Sequence, residues 1–275
     1  MLLSVGAFAR QYLTENSKKN TNLPNHFYLL TKHLKFMLYS NKEVKNKEYF
    51  SDSIGKFNVT FPSYSELDTI FNEIFIYKDY FFESKTSEPL IIDCGSNIGI
   101  SVLFFKLLYP NSKILAFEPS QKNFEMLETN INNNRITNIK LYKKALSNKK
   151  EKTKFYNSAS IVGTLFSSNQ NETKYEIVET ALLSDFINQK TNLLKLDIEG
   201  AEDNVITDLD QNNKLTFIDK IIMEYHDPIK KNNLSKVLKI LEKNKFYYQI
   251  KSHFKTPFNS QNKDMAYLIY AYKNQ

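Results

Sequence analysis

The sequence predicts an α/β protein: a doubly wound, mostly parallel sheet of seven strands, with an antiparallel C-terminal edge strand and a mainly helical N-terminal appendage. Three observations carry this. Short apolar runs alternate with stretches of helical spacing across residues 90–242, the pattern of βαβ units whose helices cover both faces of a parallel sheet. One run, Leu90-Ile91-Ile92, leads into Asp93-Cys94-Gly95-Ser96-Asn97-Ile98-Gly99, a glycine-punctuated strand-to-helix turn that lets backbone N–H groups approach a ligand. The last two apolar runs, residues 246–252 and 266–272, have no helix between them, which suits an antiparallel hairpin.

Taken in order, residues 1–50 read as mostly helical, with apolar side chains at helical spacing in Phe27-Tyr28-Leu29-Leu30 and around His33 to Tyr39. Phe57-Asn58-Val59-Thr60-Phe61 alternates and reads as a short strand ended by Pro62. Residues 66–75 form a helix with Phe71, Ile74 and Phe75 on one face, followed by an aromatic run at Tyr77, Tyr80, Phe81 and Phe82. A domain boundary falls near residue 85, giving an appendage over 1–85 and a main domain over 86–275. The main domain then reads strand 90–92, helix 100–108, strand 113–117, helix 121–132 and strand 139–142. Extra strands follow at 152–156 and 175–180, separated by a polar loop over 158–171. A short helix at 184–187, strand 192–196, helix 201–209, strand 217–223 and helix 233–242 precede the final pair.

Composition bounds the function. The 275 residues are 41% hydrophobic and 14% aromatic, enough to bury a large core. No apolar run approaches the roughly 20 residues of a membrane span. The N-terminus lacks a basic region before its short apolar stretch, so it reads as a helix start rather than a secretory signal, with a cytoplasmic location as the default. Cys94 is the single cysteine, which excludes an intrachain disulfide; no base lies beside it, so it reads as a packing residue rather than a nucleophile. Of the formal net charge of +7, residues 1–50 hold +5, from eight Lys or Arg against Glu15, Glu43 and Glu48. That excess reads as a solvated face, with an anionic partner as the alternative.

The chemistry concentrates at strand ends. The spacing Asp93-x-Gly95-x-x-x-Gly99 places Asn97 where a dinucleotide fingerprint has its middle glycine. Glu118, after the second strand, stands where an acid accepts hydrogen bonds from ribose hydroxyls, a feature shared by several nucleoside ligands, NAD included. In Leu196-Asp197-Ile198-Glu199-Gly200-Ala201-Glu202, three carboxylates crowd one strand–helix turn. Asp197 and Glu199 suit polarising a hydroxyl or holding a cation, while Glu202 reads as a helix cap. His226 reads either as a base or as a loop histidine ahead of Pro228; His26, His33 and His253 have weaker claims.

Together, Asp93 to Gly99, Phe117-Glu118-Pro119, Ala145-Leu146 and Leu196 to Glu202 resemble the FkbM-type family of class I S-adenosylmethionine-dependent methyltransferases. The resemblance covers about residues 55–250; residues 1–50 match nothing recognised. It implies a Rossmann-like fold and O-methylation of a hydroxyl on a sugar, glycan, glycolipid or natural product. It implies cofactor binding by Asp93, Gly95, Ser96, Asn97, Gly99 and Glu118, with Lys144 and Ala145 near the adenine. Asp197, Glu199, Glu224 and His226, the last two following the fifth strand, would face the transferred methyl as catalytic residues, with His226 able to take the proton. No metal-ligand spacing demands a metal. Nucleic acid is disfavoured as a substrate. Asp197-Ile198-Glu199-Gly200 stands where base amino-methylating enzymes carry an Asn/Asp-Pro-Pro-aromatic motif, and carboxylates repel phosphate. A cofactor-binding but inactive relative and a dinucleotide oxidoreductase remain the alternatives.

Overall fold

The computed structural model describes residues 22–40, 48–157, 163–165, 174–228, 233–252 and 264–274. Among the described residues the first helix is α1 (His26–Ser40). A hairpin follows, β1 (Phe50–Ile54) with β2 (Phe57–Phe61), its turn made at Gly55 with φ +58°. Helix α2 (Tyr64–Phe71) starts at Ser63, whose hydroxyl accepts the Glu66 N–H at 3.1 Å, an N-cap that satisfies an otherwise orphan donor.

The central sheet has seven strands in the order β12-β13-β11-β10-β3-β4-β5. These are β3 (Leu90–Cys94), β4 (Lys113–Phe117), β5 (Ile139–Tyr142), β10 (Leu193–Leu196), β11 (Lys220–Pro228), β12 (Tyr247–Ser252) and β13 (Asp264–Tyr272). From β5 to β11 every neighbour is parallel, whereas β13 is antiparallel to both β11 and β12. The C-terminal hairpin thus closes one side of the sheet, with its antiparallel strand slotted between β11 and β12. Strand alternation sends neighbouring residues to opposite faces. Ile91 joins an apolar cluster with α1, α2, α3 (Ile100–Leu108) and α4 (Gln121–Asn133), and Ile92 joins another with α5 (Glu202–Gln211) and α6 (Leu234–Lys243). Between β5 and β10 a second, four-stranded sheet forms from β6 (Ala145–Leu146), β7 (Lys152–Asn157), β8 (Gly163–Thr164) and β9 (Tyr175–Ala181), in the order β6-β9-β7-β8.

Helix α3 is buried around its whole circumference, which a helix reaches only when both faces are covered. The sheet covers one side and the N-terminal segment covers the other, with Phe75 set edge-on to Phe104 at 5.3 Å between centroids. The same segment is stitched to α4 by amides. Asn130, fully buried, accepts the Thr60 N–H at 2.7 Å and donates to the carbonyls of Thr60 (3.0 Å) and Ile98 (2.8 Å). Asn134 does the same one step along, with the Asn58 N–H and carbonyl at 2.8 and 2.6 Å.

Several boundaries differ from the sequence reading. The helix expected over 66–75 is α2 followed by a π-helical turn, Asn72–Ile76. Strand β1 was not expected, because Phe50-Ser51-Asp52-Ser53-Ile54 is too polar to read as a strand. Residues 152–156 and 175–180 pair with one another in the small sheet rather than at the edge of the large one. Strand β11 runs through Pro228, so Glu224 and His226 lie within it, opposite Leu268 and Ala266, and not after it. The helices expected over most of residues 1–50 reduce to α1 among the described residues. His253 and most of the expected 158–171 loop lie outside them.

Asn130→Ala should strip partners from three backbone groups. Denaturant unfolding should show a loss of roughly 2–4 kcal/mol, since each buried polar group left unpaired costs about 1–3 kcal/mol. A loss below about 0.5 kcal/mol would mean water replaces the amide.

Candidate active site

The site forms at the carboxyl ends of β3, β4 and β10, where open α/β sheets change direction and bind ligands. The turn after β3 is held by glycine chemistry at two positions. Gly95 has φ +82°, and a Cβ there would lie 1.8 Å from the Asp197 carbonyl oxygen; the two strand ends meet backbone to backbone. Gly99 has φ +93°, and its missing Cβ would strike Leu127. Asn97 also sits in the left-handed region at φ +50°, which asparagine tolerates better than most residues. The N–H groups of Gly95 and Ser96 donate to the Phe117 carbonyl at 3.0 and 2.9 Å. The Asn97 N–H donates to Glu118 Oε2 at 2.9 Å, while Glu118 Oε1 accepts the Ser120 N–H at 2.9 Å. Burial raises the Glu118 carboxyl to about 7, against the pull of those two N–H groups.

Beneath the turn lies Lys195, on β10 directly beside Asp93 on β3. Its ammonium donates to the carbonyls of Gly95 (2.6 Å) and Cys94 (3.3 Å) and lies 3.4 Å from both Asp93 Oδ1 and Asp197 Oδ2. Burial opposes this charge, but Asp197 and Asp93 overcome it and hold the ammonium well above its usual range. Burial likewise works to raise Asp197, yet Lys195, His226 and the Tyr80 hydroxyl, which donates at 2.9 Å, leave it below the ordinary carboxylate range. Burial and then Asp93 push the Cys94 thiol far up, so it is an inert packing group.

The far side of the site is acidic. His226 Nδ1 lies 3.2 Å from Glu202 Oε1, and Nε2 lies 3.3 Å from Glu199 and 3.9 Å from Glu224. Burial disfavours its charge, but these carboxylates raise the imidazole to about 10. That shift favours the imidazolium and weighs against His226 as the resting proton acceptor. Burial and mutual repulsion raise Glu199 to about 7 and Glu224 to about 8, with Asp197 the repelling charge common to both. Glu73, on the π-helical turn, is raised to about 7 by burial and then by Asp197 and Asp79. Glu202 does not cap α5, whose N-cap position, Ala201, makes no side-chain cap; instead its Oε1 accepts the Ile198 and Gly200 N–H groups at 3.2 and 3.0 Å, closing the turn under His226. Asp197, Glu199 and His226 each offer a donor atom within 4.8 Å of the others, a candidate set for a divalent cation.

One open-mouthed cleft joins these parts. Its walls bring together Gly95, Ser96, Asn97, Glu118, Lys144, Ala145, Asp197 and Glu199. Asp93 is fully buried below the turn, with Oδ2 accepting the Ser101 hydroxyl at 2.6 Å. Asp93 and Gly99 shape the loop from behind and do not line the cleft, and neither do Glu224 or His226. Sequence reasoning missed Lys195 and Glu73, and it offered Tyr80 only within an aromatic run that packs in the core or partly walls the pocket. Lys195 has a legible signal, a lone cation two residues before Asp197 and so on the same face of its strand. Glu73 has none, and the approach of Tyr80 to Asp197 spans more than a hundred residues of chain.

A family model described as the methyltransferase FkbM domain matches residues 93–250. "Methyltransferase 1" of Beauveria bassiana is 31% identical over 186 residues, spanning 59% of this chain and 74% of that protein. Methyltransferase sdnD of Sordaria araneosa is 28% identical over 198 residues, spanning 59% and 76%. Among solved structures, the methyltransferase FkbM from Methylobacillus flagellatus aligns with a TM-score of 0.46 at 13% identity, covering 89% of this chain and 60% of that one.

The raised acids make a pH prediction. Glu73, Glu118, Glu199 and Glu224 sit near 7–8 when folded, against 4.5 ordinarily, and His226 sits near 10 against 6.5. Between pH 6 and 8 the folded state therefore binds more protons than the unfolded chain, so stability falls as pH rises. The melting temperature should drop by roughly 5 °C or more over that range, and Glu224→Gln should flatten the decline. A melting temperature that climbs with pH would contradict these assignments.

Proposed function

This chain belongs to the FkbM methyltransferase family, and from that premise we propose that it moves a methyl group from S-adenosylmethionine to a hydroxyl on a sugar, glycan or glycolipid. The observation that carries the reading is the continuity of the cleft. Its walls combine Glu118 and an apolar set that includes Phe117, Ala145 and Leu146 with Asp197 and Glu199.

The donor set fits a nucleoside carrying an amino-acid tail. Glu118 presents carboxylate oxygens to ribose hydroxyls, Lys144 and Ala145 flank the base, and Gly95, Ser96 and Asn97 supply the turn around the tail. Asp93 and Gly99 support that turn from below. When bound, S-adenosylmethionine supplies a methyl group already activated by its sulfonium, so the protein's task is alignment and removal of one proton. We assign the acceptor hydroxyl to Asp197, which is ionised and oriented by Tyr80 and Lys195. His226, whose charge the surrounding acids favour, holds Glu199 in place. The proton then goes to a carboxylate; Glu199 and Glu73 both line the cleft and titrate near neutrality. On this reading the acids act on the hydroxyl and its proton rather than as metal ligands, and a chelator leaves turnover unchanged. The acid-rich acceptor end favours neutral acceptors over phosphorylated ones or nucleic acid. A cytoplasmic location and the division near residue 85 stay part of this proposal.

Calorimetry tests the cofactor half. S-adenosylhomocysteine should bind and NAD should not; tighter NAD binding would overturn the reading. Glu118→Ala should weaken S-adenosylhomocysteine by about 1–3 kcal/mol. Because hydroxyl donors favour the ionised carboxylate, the wild-type affinity should also fall from pH 8 to 6 as Glu118 protonates. A screen of neutral and phosphorylated glycans with labelled cofactor tests the acceptor half: methylation confined to nitrogen or carbon acceptors would refute O-transfer.

A further inference from the structure

The Gly95–Ser96 peptide unit is gripped from both sides. Its N–H donates to the Phe117 carbonyl at 2.9 Å, and its C=O accepts from Lys195 Nζ at 2.6 Å. The lysine is 1% exposed. Its shortest contact is this carbonyl and not a carboxylate, since Asp93 and Asp197 both stand at 3.4 Å. The Tyr80 ring lies 5.1 Å from the ammonium, and the Tyr80 hydroxyl donates to the same Asp197 oxygen that Lys195 approaches. A cation serving only to neutralise Asp93 would settle on its carboxylate. One that meets two successive carbonyls of the turn acts on the backbone.

We infer that Lys195 is the positioning residue of the cofactor turn: its ammonium orients the Gly95–Ser96 peptide and ties that peptide to the acceptor-side carboxylate of Asp197. The inference rests on the S-adenosylmethionine reading. It makes the cofactor turn and the acceptor acid a single charged unit, so a change at one is felt at the other. Lys195 acts through these groups and does not line up as an acid, base or nucleophile.

The test is a double-mutant cycle with Lys195→Met and Asp93→Asn, read by S-adenosylhomocysteine calorimetry and by thermal melting. Lys195→Met should weaken S-adenosylhomocysteine at least tenfold and lower the melting temperature, because it strands two carboxylates. In the Asp93→Asn background one of those carboxylates is gone. There the added Lys195→Met should cost less in melting temperature than it does alone, yet still lower affinity tenfold or more. Unchanged affinity in Lys195→Met overturns the inference. So does a double variant that matches Asp93→Asn in affinity, which would make Lys195 a charge balancer only. A double variant that does not fold also overturns it, by assigning Lys195 to the fold rather than to the turn. Wild-type protein that binds no S-adenosylhomocysteine refutes the cofactor reading itself, which is a different outcome from each of these.

Discussion

A single buried ammonium organises the site. Lys195 stands between two aspartates and two backbone carbonyls in the middle of the parallel sheet. Groups packed in this way are tolerated only as a set, because removing the lysine leaves the carboxyls desolvated and unpaired. The parallel pairing of β10 with β3 puts Lys195 next to Asp93, and the two-residue period of the strand puts Asp197 on the same face. Strand register, which is a property of the fold, thereby sets the protonation state of the residues that face the cleft.

The acids beyond Asp197 follow a different rule. Glu73, Glu199 and Glu224 are close enough to repel, and burial denies them water, so each holds its proton near neutrality. Perturbed carboxyls of this kind concentrate where proteins do acid–base work. His226 is part of their charge balance. The site therefore combines one carboxylate kept ionised by a lysine with three kept ready to exchange a proton, and the N-terminal segment contributes to both kinds through Tyr80 and Glu73.

Much of this was legible in the sequence, and the reasons for the rest are specific. The βα alternation and the glycine turn are local signals, and β3, β4, β5 and β10 lie where the apolar runs stand. Glu118, Asp197 and Glu199 were readable because strand ends are where acids face ligands. Lys195 was half legible: its spacing from Asp197 is local, but in Leu193-Leu194-Lys195-Leu196 a cation reads as an interruption of an apolar strand, and only the register reveals Asp93 as its partner. The charge on His226 was hidden because it depends on Glu202, held 24 residues away in sequence and 3.2 Å away in space. The extent of β11 was missed because Glu224, His226, Asp227 and Pro228 make the run Glu224-Tyr225-His226-Asp227-Pro228 read as a polar turn rather than a strand.

The amides that bind β2 to α4 have a consequence for how the protein behaves in company. A two-stranded hairpin has an outer edge whose N–H and C=O groups invite another strand. On β2 those groups belong to Asn58 and Thr60, and Asn134 and Asn130 already occupy them both as donor and as acceptor. A helix has in effect been dressed as a neighbouring strand. The hairpin is finished at two strands, and an aromatic-rich chain that would otherwise present an open ladder at this edge offers nothing there for a second molecule to extend.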